Sequence, residues 1–445
     1  MKKALVLLLC LLFLPLTAPA EEGVTLRVND WIDEDVLAAF TAETGVRVEL
    51  AENLAGTLQD SIVSGENIDI YTVYSSGAYR DILEKGYASP IESAALLEKS
   101  RALLPALREI LFQGEALMAY PSQLELKAWT LDETGWQAAG FTLEQIPETL
   151  ADFLTCFARW QEEGSAECPD RYFFEGGSLE YLVEVIVRQY IVENESPAAA
   201  VDFDDPAFRA ALEQLSAARP LFAQDAERME AVQNGELEAF PLIYNYTMSY
   251  GYTSLDSNRA RPMPIPALTA GEAPFVEAEA RLYFISARCQ HPKEAAAFIA
   301  FLAEHSGSIQ TEYELYSADS VSPLENASFP ALLEKNTQEL ARLKQELPTC
   351  KPEEKQQKEE RIAWLEGWMG RQDEIRWIIS PEDIALRRAL TRRVAVPGKS
   401  LYLAGGANCA ETLSTLIARF AADELSPDQL ISEMNRTCAL AFKEQ

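Results

Sequence analysis

Apolar and polar residues alternate near the start of the chain in a pattern that predicts short strands separated by helices. Val24 to Asn29 alternates residue by residue, which is typical of a strand with one buried face. Val36 to Thr44 repeats with a helical period and stops at Gly45, a residue that is common just after helix ends. Val46 to Leu50 and Ile68 to Tyr74 again have the pattern of strands. The order strand, helix, strand predicts an α/β fold.

The same kinds of pattern continue along the chain. Arg281 to Ser286 predicts a strand, and Pro292 to Leu302 predicts a helix directly after it. Between Leu332 and Ile379, apolar residues recur at helical spacing on both sides of a break at Pro348 to Pro352. This pattern predicts two helices joined by a turn, an αα-hairpin, which we expect to be a structural insertion.

The first twenty residues have the features of a secretory signal peptide. Lys2 and Lys3 precede an apolar run that ends at Leu16, and an A-x-A cleavage site ends at Ala20. The run is too short to span a membrane. We expect cleavage after Ala20 and an exported protein, periplasmic or extracellular. We expect no lipid anchor, because a leucine precedes Cys10 where a lipoprotein site needs a small residue.

Composition and charge narrow the classes of function. The chain has 445 residues, of which 48% are hydrophobic, enough for two sizeable cores. Its net charge of −32 disfavours nucleic acid as a partner, because phosphate recognition relies on Lys and Arg. Six cysteines follow the signal segment, and none has metal-ligand spacing. The shortest disulfide closures would join Cys156 to Cys168 and Cys409 to Cys438, with free thiols as the alternative.

Residues suited to catalysis are few. His291 and His305 are the only histidines, and both are predicted at helix ends. The sequence contains no G-x-S-x-G elbow, P-loop or H-E-x-x-H motif. Among 70 acidic residues, paired carboxylates do not indicate a glycosidase. We therefore expect a binding protein with no catalytic residue, metal or cofactor. A secreted glycoside-active enzyme is the more distant alternative.

Motifs at both ends of the chain resemble one family. The run from Phe420 to Arg436 places Ser426 and Pro427 at a helix start, and it resembles the C-terminal signature of the solute-binding proteins of ABC importers. The opening is similar as well, through Phe40-x-x-Glu43-Thr-Gly-Val46 and Lys85-Gly-Tyr-x-x-Pro-Ile91. The chain thus resembles extracellular solute-binding proteins of family 1, the sugar-binding type, and is related to polyamine-binding members.

This resemblance implies an architecture and a role. The expected fold is α/β, two-lobed and periplasmic-binding-protein-like (type II), with a cleft between the lobes and an inserted helical hairpin at 332–379. After the signal segment 1–20, lobe one would comprise residues 21–119 and 267–323, and lobe two residues 120–266 and 324–445. The resemblance also implies a monomer that delivers a small solute to the membrane permease of an ABC importer.

The predicted strand ends give the candidate binding residues. Ligands of open α/β sheets collect at the carboxyl ends of strands, and a cleft between lobes can close over a solute. The ligand-binding residues expected on this basis are Asp30, Trp31, Tyr74, Ser75, Ser76, Ser122, Gln123, Glu175, Gly176, Tyr244, Asn245 and Tyr246. For each aromatic side chain, packing in a core is the competing interpretation.

Two classes of ligand fit these residues. Sugars need flat apolar faces for their C–H surfaces and polar groups for their hydroxyls. A polyamine would use aromatic faces together with the carboxylates of Asp30, Asp33, Glu125 and Glu175. The segment around Trp31 also resembles spermidine- and putrescine-binding proteins. Since the chain length is nearer the sugar-binding group, we expect a sugar or oligosaccharide, with a polyamine as the alternative.

Overall fold

A computed structural model describes residues 23–51, 61–62, 64, 67–75, 79–175, 178–245, 253–255, 258–269, 271–305, 313–403 and 408–444. The predicted signal segment, 1–20, lies outside these residues. Across the described ranges, none of the helices is both long and apolar enough for a membrane span.

The described strands are short except for β7 and β13. They are β1 (Thr25–Asn29), β2 (Arg47–Leu50), β3 (Ile70–Tyr74), β4 (Ala88–Ser89), β5 (Phe112–Gln113), β6 (Ala116–Leu117), β7 (Tyr120–Lys127), β8 (Trp129–Asp132), β9 (Arg171–Phe174), β10 (Phe240–Tyr244), β11 (Thr253–Leu255), β12 (Asn258–Met263), β13 (Val276–Ser286), β14 (Leu324–Glu325), β15 (Trp377–Ile379) and β16 (Val394–Ala395).

The α-helices lie between these strands and make up most of the chain after residue 290. They are α1 (Glu34–Thr44), α2 (Tyr79–Glu84), α3 (Ala94–Ser100), α4 (Pro105–Leu111), α5 (Glu133–Ala138), α6 (Leu150–Arg159), α7 (Ser165–Glu167), α8 (Leu179–Asn194), α9 (Pro206–Ala217), α10 (Arg219–Gln233), α11 (Pro292–His305), α12 (Phe329–Glu346), α13 (Pro352–Gly370), α14 (Gln372–Ile375), α15 (Pro381–Leu390), α16 (Asn408–Ala421) and α17 (Pro427–Lys443).

The first sheet is built around β13. Its order is β16-β13-β3-β1-β2, and β4 and β7 also pair with β13. β1 runs parallel to β2 and β3, as the predicted strand-helix-strand start requires. Leu26 and Val28 alternate with less buried residues and enter a core that α1, α2, α3, α4 and α11 share. Gly45 ends α1 in the left-handed region, with its N–H bonded to the Thr41 carbonyl at 2.9 Å, so the predicted helix stop is confirmed.

The second sheet has the order β11-β12-β8-β10-β9 and a core rich in aromatic side chains. The rings of Trp129 and Phe174 lie 4.9 Å apart. Helices α5, α6, α8, α9, α10, α16 and α17 pack on the same core. On the edge strand β9, the backbone N–H groups of Phe173 and Phe174 donate to the buried carboxylate of Asp225 on α10, at 3.0 and 2.8 Å.

The chain passes from the first core to the second and back again. Side chains up to Ala128 belong to the first core, and Trp129 begins the second. The return lies between Phe275 and Val276. β7 pairs with β13 along its whole length, and β8 continues directly from it in the second sheet. The lobe boundaries at residues 119 and 267 remain a prediction, and these core assignments lie several residues to their C-terminal side.

The αα-hairpin predicted between Leu332 and Ile379 is confirmed as helices α12 and α13. They pack through Leu343, Ile362 and Leu365 in a cluster separate from the two large cores. Arg361 on α13 donates two hydrogen bonds to the Glu339 carboxylate on α12, both at 3.0 Å.

The C-terminal signature forms the predicted helix start. The Ser426 hydroxyl accepts the backbone N–H of Gln429 at 3.3 Å, and the Gln429 side chain accepts the backbone N–H of Ser426 at 2.9 Å. This reciprocal capping box satisfies two donors that a helix leaves open at its first turn. Leu430, Ile431 and Met434 of α17 are buried in the second core, as their helical spacing predicts.

Candidate functional site

Two exposed aromatic side chains lie at one edge of the first sheet. Asn29 on β1 is paired with Tyr71 on the parallel strand β3, so both strands end at the same edge. Trp31 follows the end of β1 and is 81% exposed, and Tyr74 ends β3 and is 54% exposed. Packing in a core, the competing interpretation for Trp31, does not describe this indole.

Asp30, the residue before Trp31, has a fully buried side chain. It accepts the backbone N–H of Trp31 at 2.6 Å and the Thr72 hydroxyl at 3.2 Å, and it forms an ion pair with Arg281. Burial raises the pKa of the Tyr283 hydroxyl, and the neighbouring Asp30 carboxylate raises it further. Asp30 therefore fixes the segment that carries Trp31 and has little surface left for a ligand.

Arg281 is a candidate site residue that the sequence patterns did not indicate. It lies in the middle of β13, opposite Tyr74 on β3 and Gln123 on β7. Its side chain is 31% exposed, although Asp30 holds one end of the guanidinium. The sequence does contain one signal for such a role, because Arg281 is a charged residue directly before a run of apolar residues in β13. The sequence reasoning placed Arg281 at the start of the strand and assigned it no role.

Two of the predicted serines, Ser75 and Ser122, have backbone partners. The buried Ser75 accepts the Ala280 N–H on its side-chain oxygen at 3.0 Å and donates its own N–H to the Ala280 carbonyl at 2.8 Å. Ser122 is half-buried and donates to the Arg281 carbonyl at 3.2 Å, whereas the neighbouring Gln123 is exposed. Ser75 thus joins strands, while Gln123 remains open to a ligand.

A row of charged side chains continues from Arg281 along β7 and β13. Glu279 lies opposite Glu125, and Glu277 lies opposite Lys127, so these side chains share one face of the sheet. Glu277 is buried and accepts two hydrogen bonds from Arg188 of α8, both at 2.6 Å. Burial opposes ionisation of Glu277, but the cations outweigh it and lower its pKa. This pair ties the second core to β13.

A second group of predicted residues lies at the ends of β9 and β10. These strands are parallel, with Phe174 paired to Ile243, and the Glu175 N–H donates to the Ile243 carbonyl at 2.8 Å. The Glu175 Oε2 atom is buried and has no hydrogen-bond partner among the described residues. Burial raises the pKa of this carboxyl, although the Asn245 N–H opposes the rise. Glu175 is therefore a polar group with unused hydrogen-bonding capacity.

Two aromatic side chains, Tyr181 and Trp129, are hydrogen-bonded to each other next to this second group. The Tyr181 hydroxyl donates to the Asn245 carbonyl at 3.2 Å and accepts from the Trp129 indole N–H at 3.1 Å. Tyr181 is a second residue that the sequence reasoning missed. Tyr244 is only 9% exposed, so it presents little surface in this conformation.

Three of the predicted binding residues, Ser76, Gly176 and Tyr246, lie outside the described residues. Two carboxylates considered for a polyamine are described. Asp33 caps α1 by accepting the Asp35 N–H at 2.9 Å, and Glu125 is exposed on β7. No group of three or more His, Cys, Asp or Glu in the described part of the chain could hold a metal ion.

Comparison with known proteins identifies the family. The sequence matches the bacterial extracellular solute-binding proteins over residues 26–308, well over half of the chain. The chain belongs to this family. Its members are extracellular binding proteins rather than enzymes, as the resemblance of its motifs implied. No curated protein matches the chain.

Solved structures of similar fold are distant in sequence. The GacH receptor of Streptomyces glaucescens GLA.O is 14% identical with a TM-score of 0.53, and the match covers 95% of this chain and 100% of that chain. The cyclic alpha-maltosyl-1,6-maltose binding protein of Arthrobacter globiformis is 12% identical, with a TM-score of 0.55 and the same coverage. An ABC transporter solute-binding protein of Thermotoga lettingae TMO is 14% identical, with a TM-score of 0.53 and coverage of 94% and 99%. The expected type II binding-protein fold is thereby confirmed.

Proposed function

We propose that this protein is an exported receptor that captures a neutral sugar or oligosaccharide and delivers it to the permease of an ABC importer. Family membership supports capture of a solute outside the cytoplasm. The three structural neighbours are described with acarbose, as a binding protein for a cyclic maltosyl-maltose, and with alpha-D-tagatose bound. The narrower assignment to a sugar is argued from the site itself.

The observation that carries the proposal is the exposed pair of Trp31 and Tyr74 at the end of parallel strands. Contiguous exposed apolar surface commonly marks a binding site, and these two side chains lie where ligands of α/β sheets collect. Flat aromatic faces match the C–H surfaces of sugar rings. The exposed Gln123 beside Arg281 would supply hydrogen bonds to hydroxyl groups.

The charges around Trp31 favour a neutral ligand over a polyamine. The Asp30 carboxylate is buried and paired with Arg281, so an ammonium group cannot reach it without displacing that guanidinium. Arg281 itself repels a cation placed over Tyr74. Asp33 caps α1 through one carboxylate oxygen and stays exposed. Of the four carboxylates considered for a polyamine, Asp30 is thus removed, and Asp33, Glu125 and Glu175 remain.

Glu175 can accept a hydrogen bond from a sugar hydroxyl. Its Oε2 atom is buried and has no hydrogen-bond partner among the described residues. We infer that Glu175 and Asn245 contact the ligand from the second lobe while Trp31, Tyr74 and Gln123 contact it from the first. Closure of the lobes around β7 and β13 would bring both groups to one solute. Ser76, Gly176 and Tyr246 stay in the proposed site on sequence grounds.

Titration calorimetry with a panel of ligands tests this function. The panel contains mono- and oligosaccharides alongside spermidine and putrescine. We expect one solute per monomeric chain, a sugar, recovered unchanged after release. Tight binding of a polyamine together with no binding of any sugar would show that the ligand is a polyamine instead. Hydrolysis of a bound oligosaccharide, abolished by changing one carboxylate, would identify an enzyme instead.

A further inference from the structure

The six described cysteines are all present as thiols. Of the two disulfides that sequence spacing suggested, their positions favour one and not the other. Cys156 donates to the Gln145 carbonyl at 3.6 Å, whereas Cys168 donates to the Ala138 carbonyl at 3.5 Å. These two thiols face different carbonyl groups rather than each other. The first pair therefore carries no structural support for a disulfide.

Cys409 and Cys438 face each other. Cys409 lies at the start of α16 and Cys438 lies near the end of α17, and a turn of five residues joins the two helices into a hairpin. Both thiols are buried in the second core, and the Cys438 thiol donates a hydrogen bond to the Cys409 sulfur. This hydrogen bond lowers the pKa of Cys409, although burial opposes the shift, and it raises the pKa of Cys438.

We propose that Cys409 and Cys438 form a disulfide once the protein has been exported. The location is suitable, because members of this family are extracellular and disulfides persist in oxidising compartments. Both side chains lie in one core on the two helices of a hairpin and are linked by a hydrogen bond, so little movement of the helices is needed for them to form a bond. Since the pair is buried, reductants in solution would reach the finished bond slowly.

The oxidation proceeds by thiol–disulfide exchange with an extracytoplasmic dithiol–disulfide catalyst or a small disulfide molecule. The Cys409 thiolate attacks one sulfur of the oxidant and releases the other as a thiolate. Cys438, losing its proton, then attacks the Cys409 sulfur of the mixed disulfide and releases the second thiol. The two cysteines together lose two electrons and two protons, and the oxidant's disulfide becomes two thiols.

The disulfide would fasten the chain end that carries the capping box of Ser426. It would close a loop containing α16, the connecting turn and most of α17. Closing such a loop reduces the conformational freedom of the unfolded chain and so favours the folded state. The second core would thus be held together covalently at its C-terminal helices, independently of any ligand.

Counting thiols in the exported protein tests the proposal. The protein is expressed with its own signal segment, collected after export without reductant, unfolded and alkylated. We expect four of the six cysteines to react, with peptide mapping identifying a bond between Cys409 and Cys438. Reaction of all six, or a bond between other cysteines, would overturn the proposal.

Matched serine variants supply a second readout. Cys350 is a suitable control, because it lies in the αα-hairpin and donates to the Leu347 carbonyl at 3.2 Å, far along the chain from the pair. Each protein is reduced while unfolded, refolded with reductant and compared with its exported, oxidised form. The reduced form should have a Tm several degrees lower for the wild type and for Cys350→Ser, and an unchanged Tm for Cys409→Ser. Equal effects on all three would contradict the proposal. If Cys409→Ser does not fold, the wild type is instead equilibrated in glutathione redox buffers. Formation of the bond between Cys409 and Cys438 in these buffers would support the proposal, and its failure to form would contradict it.

Discussion

The neighbours of Trp31 fix its backbone, while its side chain remains exposed to solvent. The next residue, Ile32, is buried, and the carboxylate of Asp30 accepts the Trp31 backbone N–H. The backbone is therefore fixed on both sides of a side chain that makes no large contribution to the core. This arrangement preorganises an aromatic surface, so a ligand that stacks on it need not order the chain first.

Replacing Trp31 by Ala should weaken sugar binding without destabilising the free protein. A ring face that covers about 80 Å² of apolar sugar surface contributes about 2 kcal/mol, or about a 30-fold change in Kd. Trp364 on α13 is the matched control, since it is 52% exposed but lies in the αα-hairpin. Calorimetry and thermal melts on both variants check this. Unchanged affinity in Trp31→Ala, or an equal loss in Trp364→Ala, would remove Trp31 from the site.

At the scale of single residues, the sequence predicted which residues lie at strand ends better than it predicted which side chains they contact. Trp31 and Tyr74 were predicted as ligand contacts because a strand pattern ends beside them, and both side chains are exposed. Arg281 was missed because its partner, Asp30, is 251 residues away in sequence. The burial of Tyr244 was also not foreseen, because a strand end exposes a side chain only if no other element covers it.

Among the elements, α10 has an unusual role at the edge of the second sheet. Its buried Asp225 accepts two N–H groups from β9, which would otherwise lack a hydrogen-bonding partner on that side. Burial raises the pKa of Asp225 to about 6 from the ordinary 3.8, even though both hydrogen bonds and Arg228 oppose the rise. The ionised carboxylate is thus costly here, despite its good geometry.

The pH dependence of stability should report this cost. Between pH 4 and 6 the folded protein binds a proton at Asp225 that the unfolded chain has lost, so its stability falls as pH rises through that window. Asp225→Asn lacks this titration. We expect the free energy of unfolding of the wild type to fall relative to that of the Asn variant by up to about 3 kcal/mol from pH 4 to pH 7. Urea unfolding of both proteins at each pH measures it, and a gap that stays constant or moves the other way would contradict it.

The boundaries of elements were predicted where short-range signals fix them. Gly45 stops α1 and Ser426 starts α17 through local hydrogen bonds that a sequence pattern reveals. The sequence pattern predicted that β13 begins at Arg281, whereas the strand begins at Val276. The alternation of Glu277 and Glu279 with alanines disguised the strand. Glu277 can be buried there only because Arg188 and Lys127 neutralise it, and these partners come from other elements.

At the scale of the whole molecule, the alternation of strands and helices and the end motifs were enough to predict the fold. They could not define where the chain crosses between cores, because a single residue separates β7 from β8 and no turn signal divides the two strands. The ligand is also beyond sequence alone. The class that we propose, a neutral sugar, rests partly on a charge pairing in space, the ion pair of Asp30 with Arg281.

A crystal structure of the protein with the tightest-binding sugar of the panel tests the central claim most directly. The account predicts a closed molecule with a sugar ring stacked on Trp31, polar contacts from Gln123 and Arg281 in the first lobe, and a hydrogen bond to Glu175 in the second. A sugar bound elsewhere, with Trp31 still in solvent, would contradict it.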